Sequence, residues 1–276
     1  MLKYLRKYYI LYYLVSILPA LIYLAVAYFS QGIDALLSWW TWGATVVLIV
    51  ACAFFAGRVL NRVAVEESRR LIYLFYQKCD PESFLAKSSE VVGRIKAPFN
   101  EWASMLMGAY SLASIDVGNT EEAKKVVEGM RLSAKAAKGE SVARICLNMH
   151  ASIKELYGPD LALKCLGEAM WNLRSLGTDH NTIEEFQMID QEQELDIAEK
   201  LQDDMVIIEL NTKIFNNERL LLRIRVLAAY QIALAHDRLG NIEQALHFYK
   251  YVFEHGNKLR VVLNAHDRLL EMGATQ

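Results

Sequence analysis

Two uncharged apolar runs open the chain, Tyr8 to Phe29 and Ala35 to Gly57, and everything beyond Gly57 is charge-rich, with apolar residues at helical spacing. Each run is about 22 residues long, which at roughly 1.5 Å per residue crosses a hydrocarbon core of about 30 Å. The pattern predicts an all-α protein: a two-helix transmembrane hairpin in residues 1–60, with spans near 8–29 and 36–57, then a helical domain in 61–276. Between Gly57 and Pro81 there is neither Gly nor Pro, and Leu60, Val63, Ala64, Leu71, Leu74 and Phe75 keep the helical repeat. The second span is therefore expected to run on as one helix.

Beyond the hairpin no alternation rich in Val, Ile or Thr suggests a strand. Pro81, Pro98 and Pro159 each stand where a helix begins, and Asp80 is placed to cap the first of these. First helices of pairs are expected near Asn61, Phe99, Val142, Thr182 and Glu218, with a last helix near Asn257. Paired helices recurring about every 36 to 43 residues are the mark of a helical solenoid, here about five pairs and a C-terminal capping helix.

Charge sets the orientation. Lys3, Arg6 and Lys7 precede the first span and Arg58, Arg62, Arg69 and Arg70 follow the second, whereas the turn from Ser30 to Asp34 holds only one charge, negative. Basic flanks stay on the cytoplasmic side, so both termini are expected there, at a plasma membrane. Trp39, Trp40 and Trp42 at one end and Tyr4, Tyr8, Tyr9, Tyr12 and Tyr13 at the other fit aromatic belts. Ala25-Val26-Ala27 after the first run has the look of a signal-cleavage site, but that run exceeds an h-region of about 7 to 15 residues. Pro19 is tolerable inside a membrane helix. Ala53 and Gly57 form a small-xxx-small pair that we assign to packing within the hairpin.

Of 30 basic and 32 acidic residues, the hairpin takes Lys3, Arg6, Lys7, Arg58 and Asp34, which leaves the soluble part mildly acidic. That composition argues against a nucleic-acid partner, which needs a basic face. Cys52, Cys79, Cys146 and Cys165 form no CxxC pair and read as small buried apolar residues. The six histidines include no HExxH, and neither GxGxxG nor GxxxxGK[ST] occurs, so no enzyme, metal or cofactor is expected.

One frame repeats: Gly118-Asn119-Thr120-Glu121-Glu122-Ala123 and Gly240-Asn241-Ile242-Glu243-Gln244-Ala245. Gly ends one helix in a left-handed conformation, Asn caps the next, and Ala one turn in permits close packing. Around the later copy, Ala233, Gly240, Ala245 and Tyr249 keep a spacing that resembles tetratricopeptide repeats. The earlier copy carries Ser111 and Val127 at the corresponding places, and Ala162 and Ala169 after Gly158-Pro159 look like a third. Residues 61–95, turning at Cys79-Asp80-Pro81, and 182–217, which lacks the Gly, are looser pairs.

The resemblance implies a right-handed superhelix whose first helices line a groove for a peptide or a partner's helix. By frame, the groove positions are Arg144, Leu147, Asn148, Ala151 and Lys154 in the third pair, and Leu227, Tyr230, Gln231, Leu234 and Arg238 in the fifth. Arg144 and Asn148 are one turn apart, within reach of one peptide carboxylate, but the full set of basic residues and Asn of carboxylate-binding members is not recognisable, so an ordinary solvated polar face is expected. Residues 182–204 are the most acidic stretch, with Glu184, Glu185, Asp190, Glu192, Glu194, Asp196, Glu199, Asp203 and Asp204 against Lys200 alone. We expect mainly a solvated face there, answered by Arg219, Arg223 and Arg225. The expected function is a membrane-anchored adaptor or scaffold binding a protein or peptide at the cytoplasmic face. The alternative is an accessory subunit of a transport, secretion or envelope complex whose hairpin is the working part. The spans hold no ionisable group, only Ser16, Ser38, Thr41 and Thr45, which favours anchorage.

Overall fold

The computed structural model describes residues 6–34, 38–96, 101–174 and 180–273. Within helices, the side chains of 6–9, 61, 64, 101, 140 and 180–186 lie outside the description. The expectations resting on Lys3, Tyr4, Pro98, Glu184 and Glu185 accordingly fall outside it. The described residues form twelve helices: α1 Arg6–Gln31, α2 Trp39–Tyr76, α3 Pro81–Val92, α4 Glu101–Asp116, α5 Thr120–Ala136, α6 Glu140–Tyr157, α7 Pro159–Arg174, α8 His180–Leu201, α9 Asp204–Asn216, α10 Leu222–Arg238, α11 Ile242–His255 and α12 Arg260–Glu271. The chain divides into two compact units, Met1–Arg70 and Leu71–Gln276.

In the first unit α1 and the N-terminal part of α2 form a pair. Small residues make the close approach possible: Ala20, Ala56, Ser16 and Thr45 are buried, and a Cβ on Gly57 would stand 3.6 Å from the Tyr12 ring. The buried hydroxyls do not cross between helices. Ser16 donates to Tyr12 O (2.7 Å) and Thr45 to Thr41 O (2.7 Å), each one turn back along its own helix. Outside that seam the helices are apolar on every face, with Leu14, Leu18, Ile22, Val46, Val50 and Phe54 all exposed. Most of the apolar surface of both helices is thus left uncovered by the described residues. Both helices are long and apolar enough to cross a membrane. α1 passes through Pro19, and α2 is a single helix of 38 residues.

The second unit is a succession of antiparallel pairs, each helix packed on its chain neighbour, with α4 also against α6. The turn inside every pair carries one residue of positive φ: Cys79 (49°), Gly118 (80°), Gly158 (88°), Gln202 (54°) and Gly240 (73°). These five positions recur about every 40 residues, so the repeat is a backbone fact even where the sequence lacks glycine. At Gly118 the amide reaches Ile115 O (2.9 Å) and that of Asn119 reaches Ser114 O (2.8 Å). The corresponding pairs at Gly240 and at Gln202 use Asp237 and His236, and Glu199 and Ala198. All three are Schellman caps, which spend the last free carbonyls of the first helix on the turn itself.

The second helix of a pair is then started by a side chain or by proline. Asp80 accepts from Ser83 N (3.1 Å) with Pro81 at the first helical position, Asn119 accepts from Glu122 N (3.3 Å), and Asp203 accepts from Val206 N (3.2 Å). Asn241 differs: it stands at the N-cap of α11 without a capping bond. The small residues of the frame are where the helices touch. Ala123, Ala162, Ala169, Ala233 and Ala245 are completely buried, as are Val127 and Tyr249, and Ser111 Oγ lies 3.4 Å from Ala123 O.

An open solenoid touches only its neighbours; this array also closes on its own beginning. Lys258 N donates to Cys79 O (3.1 Å), Asn257 Nδ2 to Lys78 O (2.8 Å), and Leu222 N to Gln77 Oε1 (3.1 Å). The Lys258 ammonium lies 2.8 Å from Glu82, and Arg260 reaches Glu155 on α6 (2.7 Å). Beneath these bonds the buried Arg223 of α10 pairs with Asp116 at the end of α4 (3.1 Å) and lies over the Phe75 ring at 4.4 Å. Burial pushes the Asp116 carboxyl up, and the Arg223 charge only partly offsets it. The succession of pairs in the second unit is therefore joined end to start.

Candidate docking cleft

The ten groove positions lie along two helices. On α6, Arg144, Leu147 and Lys154 are half-buried and Ala151 is exposed. Asn148 donates to Ser104 Oγ of α4 (3.1 Å) and to Arg144 O (2.8 Å), so its amide is spent at a helix crossing. On α10, Leu227, Tyr230, Gln231 and Leu234 are half-buried. The Tyr230 ring meets Tyr249 edge-on at 6.2 Å, and Arg238 Nε donates to Asp204 of α9 (2.8 Å).

Lys154 belongs to an ionic cluster that counting charges along the chain did not reveal. Its ammonium stands 2.8 Å from Asp196 and 2.6 Å from Glu199, while His150, one turn earlier, bonds Asp196 at 2.7 Å and approaches Glu192 at 3.8 Å. His150 and Lys154 form one stripe of α6; Glu192, Asp196 and Glu199 form one stripe of α8, and the stripes meet. Burial pushes the Asp196 carboxyl up, but the His150 hydrogen bond and the Lys154 charge outweigh it and hold the group below its ordinary value. Burial likewise lowers the Lys154 ammonium, and Glu199 and Asp196 more than restore it.

So the acidic stretch is not simply a solvated face: Asp196 is fully buried, and Lys200 turns to Asp160 of α7. Nor do Arg223 and Arg225 answer it. Arg223 pairs with Asp116, and Arg225 Nε donates to Phe215 O (2.9 Å). The counter-charges are His150 and Lys154 for Asp196 and Glu199, and Arg238 for Asp204. Matching the faces of the two helices, rather than totalling charge, is the signal that finds them.

The open concavity lies elsewhere, between α5, α6 and α7. It encloses about 680 Å³, a volume suited to a few side chains of a ligand. Val142, Met149 and Ile153 of α6 lie behind it, themselves buried, Leu161 is half-buried in its wall, and Trp171 of α7 rises at the edge with 72% of its surface in water. Gly167 lines the same space, and a Cβ built on it meets nothing within 4 Å. Helical spacing accounts for the wall: Leu161, Lys164, Glu168 and Trp171 repeat every three or four residues and form one stripe of α7. None of the ten groove positions lines this cleft. Cys165 does line it, with its thiol pushed up by a hydrogen bond to Cys146 and by burial, which leaves it a poor nucleophile.

Among the described residues no group of His, Cys, Asp or Glu is arranged to hold a metal ion. No family model, no curated protein and no solved structure matches the chain.

Proposed function

We propose that this protein is a membrane-anchored adaptor whose tetratricopeptide-like array binds a protein or peptide at the cytoplasmic face of a plasma membrane. The observation that carries the reading is the α5–α6–α7 cleft, an aliphatic recess with a solvent-exposed tryptophan at its edge. Exposed aromatics over a well-formed apolar hollow are where binding energy concentrates. The anchoring half of the proposal is supported by the all-round apolar faces of α1 and α2. Its orientation is supported by the arginines after Gly57 and the absence of basic residues between the spans. The tetratricopeptide likeness draws support from the Gly118 and Gly240 turns and the buried alanines that follow them.

Two measurements test it. In native membranes the full-length chain should resist carbonate extraction, and a C-terminal tag should stay unreactive to reagents added outside intact cells. Affinity capture with the full chain should return a recurrent protein that Trp171→Ala releases while circular dichroism stays unchanged. Extraction by carbonate, or a capture identical for wild type and Trp171→Ala, would reject the proposal.

A further inference from the structure

The rim of the cleft is charged on one side of the balance. Arg131 and Lys135 of α5 and Lys164 of α7 surround it, against Glu168 alone. Arg131 is partly committed to Glu128 at 3.4 Å. Lys135 and Lys164 are exposed and form no ion pair among the described residues. The chain as a whole is slightly acidic, at −2, so this positive rim is a local arrangement and not a reflection of composition.

We infer that the cleft receives an amphipathic helix of a partner protein, with apolar anchors on one face and carboxylates flanking them. This deepens the adaptor reading and rests on it. The described residues are helical with no strand, so no sheet edge is offered for an added strand; a helix laid into a groove is the recognition mode these walls allow. The open space at Gly167 takes one anchor, the half-buried Leu161 meets its neighbours, and Trp171 closes over the side. Lys135 and Lys164 then face the acidic flanks from opposite walls, which sets charge selectivity.

The test uses the full chain in discs of zwitterionic lipid and a set of 15-residue helical peptides. All carry Leu or Phe at i, i+4 and i+7, flanked by Glu in one series and by Lys in the other. The Glu series should bind by anisotropy and shift an emission component that is absent from Trp171→Phe. Lys135→Glu with Lys164→Glu should weaken binding at least about tenfold. Gly167→Leu should block the cleft with no loss of helicity or melting temperature, because its side chain enters open space. Failure of every Glu peptide to bind, or equal binding by the Lys series, would overturn the inference. A Trp171 shift caused by phosphatidylserine vesicles and not by peptide would assign the patch to a lipid surface and overturn it too. A cellular partner captured through Trp171 but indifferent to the double charge reversal would sink the acidic helix and leave the adaptor standing; peptide binding without any cellular partner would do the reverse.

Discussion

A methyl group on Gly108 would stand 2.1 Å from the carbonyl oxygen of Asn148, so α4 and α6 cross there with backbone against backbone. The Asn148 amide ties the same crossing to Ser104, one turn earlier on α4. Glycine is needed at this point for room, not for backbone freedom.

Gly108→Ala should therefore cost about 3 kcal/mol, since the clash is with main chain that cannot rotate away. Gly129→Ala is the matched control, because its Cβ meets nothing within 4 Å. Within a helix that change should gain about 0.5 to 1 kcal/mol. Chemical denaturation of the two variants, with wild type alongside, measures both; equal effects would show the crossing to be looser than described.

Gln202 holds a left-handed conformation at φ 54° and is exposed. An L-residue there gives up roughly 1 kcal/mol that glycine would not. Gln202→Gly should stabilise the fold by about that much and raise the unfolding midpoint, and Gln202→Val should lower it. Thermal melts that rank Val above Gly would contradict the turn geometry.

The buried pair of Arg223 and Asp116 is expected to be costly to break and cheap to replace. Arg223→Met alone strands a buried carboxylate and should cost about 3 kcal/mol near neutral pH. Adding Asp116→Leu should restore most of it, as two apolar side chains fill the site beside Phe75. A double-mutant cycle in urea reads the coupling, and strict additivity of the two changes would refute it.

Asp196 supplies a pH dependence. Its carboxyl is held below the ordinary value, so its contribution is present above the unfolded pKa and disappears as pH falls through the folded one. Stability should decline below about pH 4, and Asp196→Asn should flatten that decline while costing about 2 kcal/mol at pH 7. Glu199 remains to pair Lys154 in the variant, which keeps the loss at the lower end for a buried pair. An unchanged acid limb in Asp196→Asn would move the effect to other carboxylates.

Much of this architecture is legible in the residues. Uninterrupted apolarity marks the first pair of helices, and proline and glycine mark four of the later turns, at Pro81, Gly118, Gly158 and Gly240. The turn at Gln202 is hidden because its backbone conformation is imposed by the caps on either side and not by the residue occupying it. The closing contacts are hidden for a different reason. Those at Lys78, Cys79, Leu222 and the Lys258 amide use main-chain groups, which carry no side-chain signature of being paired across the chain. By analogy of frame, the repeats point to α6 and α10 for the binding surface. Of those ten residues, Asn148, Lys154 and Arg238 prove to be engaged with neighbouring helices. The cleft escaped notice because it depends on a side chain that is missing, at Gly167, and on Trp171 pointing away from the protein's interior.

The joining of Asn257 and Lys258 to Lys78 and Cys79 fixes the number of units. Stacks with loose ends can gain or shed a copy by gene duplication, since a newcomer needs only the units beside it. Here an inserted helix pair would carry the seam out of register and strand both ends. It also means that synthesis must pass Lys258 before the first pair can reach its final partners.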